Sequence, residues 1–467
     1  MMADWRMVGW ADGRVALLAA LLSAYPTIRL SAQDTTAIDR GVRIGIVYRP
    51  GVRPGIVVLP GRQAGLDSVR AIVARDLDYS DRFEVITMPG GDSARGSAAA
   101  ARPDPARPGT RPRPAVPAAL NYPLYRALGA DFAIDVRAAA DTTVVVVHDV
   151  SAGAVRRTVQ GVLPALGLPG FRLAVHRLAD QILQATVGAP GMAATRVLFV
   201  RDGKVYRIDQ DGADVALASS VEHQAMSPAW ARDGRHFAYM EFADGSGQLF
   251  VQDVATNRRV SVAKTGKSLD FTPAFSPDGK TLAFSRAIEE GTDIYTINAH
   301  DNCCLQRLTR GGFSDNLSPT YSPDGQRIAF VSTRPGLPQI YVMAADGTDQ
   351  QLFAPFDYGV SGSSNAPEWS PDGQSVAFHR DVGGTLQVFV LDVRTRTVRQ
   401  LTSLGRNEDP TWAPDGRHLA FVSDRSGYRQ LWVIDLETGR IRPLLQQSGA
   451  RLPAWSPRIP EAGTTNP

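Results

Sequence analysis

The residues best able to do chemistry are few and scattered. Seven histidines form no His-Glu-x-x-His set, and the two cysteines are adjacent, Cys303-Cys304, so no metal-binding spacing exists. No Gly-x-Ser-x-Gly elbow, Gly-x-Gly-x-x-Gly turn or Gly-Lys-Ser/Thr loop occurs, which leaves a serine hydrolase or a nucleotide site without sequence support. Adjacent Cα atoms lie about 3.8 Å apart, below the usual bridged range. Cys303 and Cys304 are therefore expected as a pair of thiols in a turn, with a strained vicinal disulfide as the alternative in an oxidising compartment. Aspartate recurs in Asp-Gly pairs at Asp233, Asp278, Asp324, Asp372 and Asp415, but one carboxylate per turn is far short of the roughly six to eight oxygens that calcium takes. These read as turn residues. The expected chemistry is binding, with no catalytic residue, cofactor or metal.

The elements that would position a binding surface come from a repeat. Six segments align: Pro228-Ala-Trp-Ala-Arg-Asp-Gly, Pro273-Ala-Phe-Ser-Pro-Asp-Gly, Pro319-Thr-Tyr-Ser-Pro-Asp-Gly, Pro367-Glu-Trp-Ser-Pro-Asp-Gly, Pro410-Thr-Trp-Ala-Pro-Asp-Gly and Pro453-Ala-Trp-Ser-Pro. Their starts lie 45, 46, 48, 43 and 43 residues apart, the period of a four-stranded propeller blade. Proline fixes φ, aspartate bonds its own backbone and glycine takes positive φ, so each Pro-Asp-Gly is a hairpin turn between alternating apolar strands. The aromatic before it is expected to anchor the inner strand against the next blade. Residues 196–219 supply three strands with no inner strand before them, and Pro453-Ala-Trp-Ser-Pro supplies an inner strand with nothing after it. Together they predict a six-bladed propeller closed by a composite blade, over residues 195–457.

Ahead of it, residues 33–190 predict a small α/β domain: strands at 42–47 and 55–60, a helix at 66–79, a strand at 83–87, a helix at 122–128, strands at 132–137 and 143–149, and a helix at 170–186. Residues 94–119 are rich in Pro, Arg and Ala and read as an extended, solvated insertion. An apolar run at 15–24 behind Arg14 is about half a membrane span and reads as the core of an export signal over residues 1–32. The cleavage site is left open by about ten residues. Residues 458–467 form a tail. Charge is nearly balanced, 50 basic against 47 acidic residues in 467, so nucleic acid is not an expected partner. The 43% hydrophobic content excludes wholesale disorder.

In a propeller, the residues just before each aligned proline are delivered to the channel mouth. That places His223, Gln224, Met226, Asp270, Phe271, Asn316, Asn365, Asn407, Glu408 and Arg451 in one ring, a mixture of polar and apolar groups suited to a protein partner. Residues 33–40 are polar, with only Ala37 and Ile38 apolar. They suit strand addition to a partner through Gln33, Asp34, Ala37, Ile38, Asp39 and Arg40. A disordered tail is the alternative.

The repeats, the closing Leu-Pro-Ala-Trp-Ser-Pro and the α/β segment before them resemble the TolB family over residues 42–457, with Val42-Arg-Ile-Gly-Ile-Val, Gly55-Ile-Val-Val-Leu-Pro and Tyr125-Arg-Ala-Leu-Gly-Ala-Asp-Phe-Ala-Ile carrying the amino-terminal part. The resemblance implies a periplasmic adaptor, monomeric alone, that binds the lipoprotein Pal at the propeller channel and TolA through the mature amino terminus, helping the outer membrane follow the dividing cell. The insertion at 94–119 is longer than the family's usual connection. Two rival readings stay open: an exported propeller hydrolase or lyase with a channel site, and an extracytoplasmic sensor of a sugar or peptide.

Overall fold

Alternation sorts the apolar side chains of the amino-terminal strands onto the two faces of one sheet. The protein is described by a computed structural model over residues 53–61, 65–88, 120–139, 141–243, 246–263, 268–289, 291–356 and 362–461. The expected leader at 1–32, the segment at 33–40, the strand at 42–47 and the insertion at 94–119 lie outside the described residues. The amino-terminal elements are β1 (Gly55–Val58), α1 (Asp67–Tyr79), β2 (Glu84–Ile86), α2 (Tyr122–Ala127), β3 (Ala130–Ala139), β4 (Thr142–Asp149), β5 (Ala154–Gly161) and α3 (Phe171–Val187). The strand order is β2-β1-β3-β4-β5, with β1 parallel to both neighbours. Ile56, Phe132, Ile134 and Val145 pack against Val69 and Val73 of α1 and Val175 and Ile182 of α3. Val57, Ala133 and Val150 pack on the other face with Tyr125 of α2. Sequence reading missed β5. Its side chains are mostly exposed, so it carries no buried alternation and is held by its ladder to β4.

From β6 (Arg196–Arg201), β7 (Lys204–Asp209) and β8 (Ala216–Leu217) onward the chain is strand and turn. Five repeat units follow, at 224–262, 269–307, 316–352, 364–400 and 407–445, each of four strands. Units three, four and five are separate sheets. Units one and two share one eight-stranded sheet through a parallel pair, Gly247 with Leu269. Glycine permits that approach, because a Cβ at Gly247 would sit 2.4 Å from the Leu269 side chain. The last strand, Arg451–Trp455, pairs with β6 and so heads a composite four-stranded sheet with β7 and β8. Four separate four-stranded sheets and one double sheet thus stand where six separate blades are expected. The class is a mostly-β propeller with a small amino-terminal α/β unit.

Each turn is built as its sequence dictates. Asp278 accepts from Ser276 Oγ at 2.6 Å and from the Lys280 N–H at 3.1 Å, while Gly279 takes φ +72°. Ser322/Asp324 and Ser370/Asp372 repeat the pattern. The aromatic anchor works in the opposite sense to the expectation, reaching the preceding unit. Trp412 Nε1 donates to the Glu368 carbonyl at 3.1 Å, and Trp230 Nε1 donates to the equivalent Ala454 carbonyl of the composite sheet at 3.1 Å. Cys303 and Cys304 also depart from expectation: they form a disulfide, in the turn after the third strand of unit two. Cys304 takes φ +66°, a left-handed conformation that accommodates the short ring.

Candidate functional site at the channel mouth

The first strands of successive units touch in order, 224–230 to 269–275, 316–321, 364–369, 407–412 and 451–455, and the last touches the first again. The expected ring segments are thereby brought together. Each strand carries a bulge at the residue before its proline, and Ser227, Thr272, Ser318, Ala366, Asp409 and Leu452 all take φ between +47° and +54°. A following proline disfavours the right-handed helical region, and a bulge needs one residue turned out of the ladder. Two of their N–H groups are spent between units: Ser318 N donates to Ser285 Oγ and Asp409 N to His379 Nδ1, each at 3.1 Å.

The ten predicted ring residues divide by burial. Gln224 and Arg451 are exposed; His223, Met226, Phe271 and Asn365 are half-buried; Asp270, Asn316, Asn407 and Glu408 are buried. The first three of the buried four have internal duties. Asp270 pairs bidentately with Arg286 at 2.7 and 2.8 Å. Asn316 bridges Asp293 and Arg334, and Asn407 bridges Gln387 and Arg425. Those arginines lie over the aromatic pairs Phe284/Tyr295, Phe330/Tyr341 and Phe421/Trp432, so the inner rim is a set of structural clamps. Glu408 keeps its carboxylate at the rim between Arg406 at 3.1 Å and Arg429 at 3.3 Å.

Sequence reasoning missed His379, which faces Asp409 at 3.7 Å. Its signal was available only as an inward position in the alternating strand Ser375–Val382. Burial, aided by Arg406, holds this imidazole down at about 4, so it is neutral, and its Nδ1 already accepts the Asp409 N–H. Burial and the neighbouring Glu408 push Asp409 up to about 6, and burial pushes Glu368 up to about 7. A single histidine whose lone pair is engaged is poorly placed as a general base.

Antiparallel pairing puts the start of each inner strand beside the hairpin between the second and third strands, as in Gln224 opposite Phe242 and Asn316 opposite Ser332. At this end Val221, Phe313, Leu337, Leu404 and Tyr428 are exposed, Phe313 almost completely at 98%. The opposite end, made of the Asp-Gly turns and the turns after the third strands, receives the α/β unit. There Arg440 grips Asp78 at 2.8 Å and Asp81 at 3.0 Å, and His418 Nε2 lies 3.2 Å from Asp81. Arg417 pairs with Asp435 and donates to the Asp81 carbonyl. A second cluster joins His176 and Asp76 of the α/β unit, 2.7 Å apart, to Asp209, Gln210 and Asp211 at the end of β7. Burial alone would lower His176, but Asp76 and Asp209 outweigh it and lift the imidazole to about 10. Both clusters contain His/Asp triplets within metal-ligand distance. Arginines already hold their carboxylates, with Arg172 and Arg75 on Asp211 and Arg417 on Asp435, so a cation there would have to displace guanidinium groups.

A small α/β unit joined to a mostly-β propeller defines the fold class. The TolB beta propeller domain family matches residues 184–357 and 358–461. The chain belongs to that family. A curated relative, a protein TolB homolog of Chlorobaculum tepidum, is 32% identical over 140 residues, 29% of this chain, and the chain spans only 32% of that relative's length. TolB from Acinetobacter baumannii superposes with a TM-score of 0.69 at 23% identity, covering 88% of this chain and 98% of its own, a likeness of fold. A putative TolB from Agrobacterium tumefaciens aligns over 55% of this chain and 90% of its own at 20% identity, with a TM-score of 0.45.

Proposed function

We propose that this protein is a non-enzymatic periplasmic adaptor of the Tol-Pal system, with domains at 33–190 and 195–457. In this reading the double sheet is two blades, giving six, and the composite sheet closes the ring, since the Trp230 bond to Ala454 repeats the Trp412 bond to Glu368. The channel mouth takes a Pal-like, peptidoglycan-associated lipoprotein, and residues 33–40 engage a TolA-like inner-membrane protein. The observation that carries the reading is the apolar rim around Phe313, Leu404 and Tyr428 at the end left open by the α/β unit. Exposed apolar groups gathered at one end mark a protein interface. Glu408, Gln224 and Arg451 would supply its polar contacts. No helix among the described residues is long and apolar enough to cross a membrane. In this reading association with the outer membrane runs through partners.

Affinity capture from envelope extract tests this reading. Recovery of a peptidoglycan-associated lipoprotein by the wild type, and its loss in a Phe313→Asp/Leu404→Asp variant, are expected. Truncation of residues 33–40 should spare that capture and remove the inner-membrane partner. Recovery of neither, with turnover of a small substrate, would contradict the adaptor reading.

A further inference from the structure

Units one and five carry the same ionic module, and among the described residues only the unit-five copy is filled. In unit five, Asp415 accepts from the N–H groups of Arg417 and His418 and lies 2.7 Å from His418 Nδ1. His418 stands opposite Asp435, and Thr438 caps Asp435 in the turn that leads to Arg440. Unit one repeats every element. Asp233 accepts from the N–H groups of Arg235 and His236 at 2.8 and 3.0 Å and lies 2.6 Å from His236 Nδ1. His236 stands opposite Asp253 at 3.6 Å, and Thr256 caps Asp253 in the turn that leads to Arg258. Units two, three and four have Thr281, Arg327 and Ser375 where these have histidine.

What differs is the occupant. The unit-five module holds Asp81 on His418 and both Asp78 and Asp81 on Arg440, two carboxylates three residues apart at the carboxyl-terminal end of α1. In unit one the His236 side chain is 41% exposed, and Arg258 makes no ion pair among the described residues. A cleft of about 860 Å³ opens beside them, lined also by Val260, Phe275 and His300. The turn proline is also replaced in unit one. Pro277 and Pro323 close on Gly325 and Gly373 of the next units, but unit one has Arg232 at that place, and a Cβ on Gly279 would meet nothing within 4 Å. The module is also more positive than its twin, with Ala255 where unit five has Glu437 and Arg232 where it has Pro414.

We infer that the unit-one module is a second carboxylate receptor, which docks an acidic loop of a partner protein presenting two carboxylates spaced like Asp78 and Asp81. Arg258 takes both carboxylates, His236 Nε2 takes the second, and the apolar wall of Val260 and Phe275 covers the loop between them. The site is separate from the channel mouth and is independent of the lipoprotein reading.

The probe is a fluorescent, cyclised peptide carrying Asp78-Tyr79-Ser80-Asp81, titrated by anisotropy against the full-length protein. Saturable binding is expected. It should weaken at least tenfold in Arg258→Ala and in His236→Gln, and equally when the probe carries Asn in place of both aspartates. Both protein substitutions are at half-buried or exposed positions, and an unchanged melting temperature shows that the fold persists. A Phe313→Asp variant should bind the probe as the wild type does. No saturable binding, or binding undiminished by the two substitutions, would overturn the proposal. So would complete displacement by inorganic phosphate at concentrations comparable to the peptide, which would mark a generic anion site.

Discussion

At the turn end of the propeller, Arg417, His418 and Arg440 are paired with Asp435, Asp81 and Asp78, while at the mouth end Phe313, Leu404 and Tyr428 are exposed. The contrast separates two tasks. Charges taken out of water stabilise little on balance, because desolvation offsets their attraction, but they permit few alternative arrangements. The turn end therefore fixes how the α/β unit sits. An exposed apolar rim costs the fold nothing when altered and gains its free energy only when a partner covers it.

The largest effect expected from breaking this arrangement follows loss of the last strand. Deleting Pro453 to Pro457 removes the partner of β6 and the carbonyl that receives Trp230, leaving unpaired edges on both sides of the gap. Soluble yield should collapse. A soluble deletion protein with an unchanged melting temperature would show that the composite sheet does not close the ring.

Next comes the ionic end. Arg417→Ala leaves the buried Asp435 with its Thr438 cap but no guanidinium and takes the Arg417 donor from the Asp81 carbonyl, and removing one partner of a buried pair typically costs about 3–5 kcal/mol. Chemical denaturation measures it. An arginine at the mouth end, Arg451→Ala, should change stability by under about 0.5 kcal/mol, since its side chain is exposed.

A third, smaller effect is pH-dependent. His176 binds its proton more tightly folded, at about 10, than its ordinary 6.5. Its contribution to stability is therefore complete below about pH 6.5 and is lost as pH rises toward 10, at up to about 1.4 kcal/mol per pH unit. Denaturation midpoints between pH 6.5 and 10 should fall in the wild type and fall less in His176→Gln. Parallel slopes would mean that His176 is neutral in the folded protein.

Much of this fold is legible from residue types, because a propeller is built by local rules. The Pro-Asp-Gly turns, the alternating strands and the orphan Pro453-Ala-Trp-Ser-Pro each announce themselves within a few residues. What escaped depends on distance along the chain. Arg417 meets Asp81 across 336 positions, and no local pattern ties a guanidinium to that carbonyl. The candidate mouth was legible as a set of segments and not as a set of side chains. Asp270, Asn316 and Asn407 occupy ring positions yet turn to Arg286, Asp293 and Gln387, a choice made by partners in the strand alongside or in the preceding unit. The vicinal disulfide runs against the reading of free thiols, since the left-handed turn at Cys304 accommodates what ordinary bridge geometry excludes.

The separation of tasks between the two ends is tested most directly by titrating a purified, soluble peptidoglycan-associated lipoprotein domain against three forms of the protein in a calorimeter. The wild type and His236→Gln should bind alike, because that histidine lies at the turn end. Phe313→Asp/Leu404→Asp should bind at least tenfold more weakly with its melting temperature intact. Equal affinity in all three forms would contradict the account and move the partner away from the mouth.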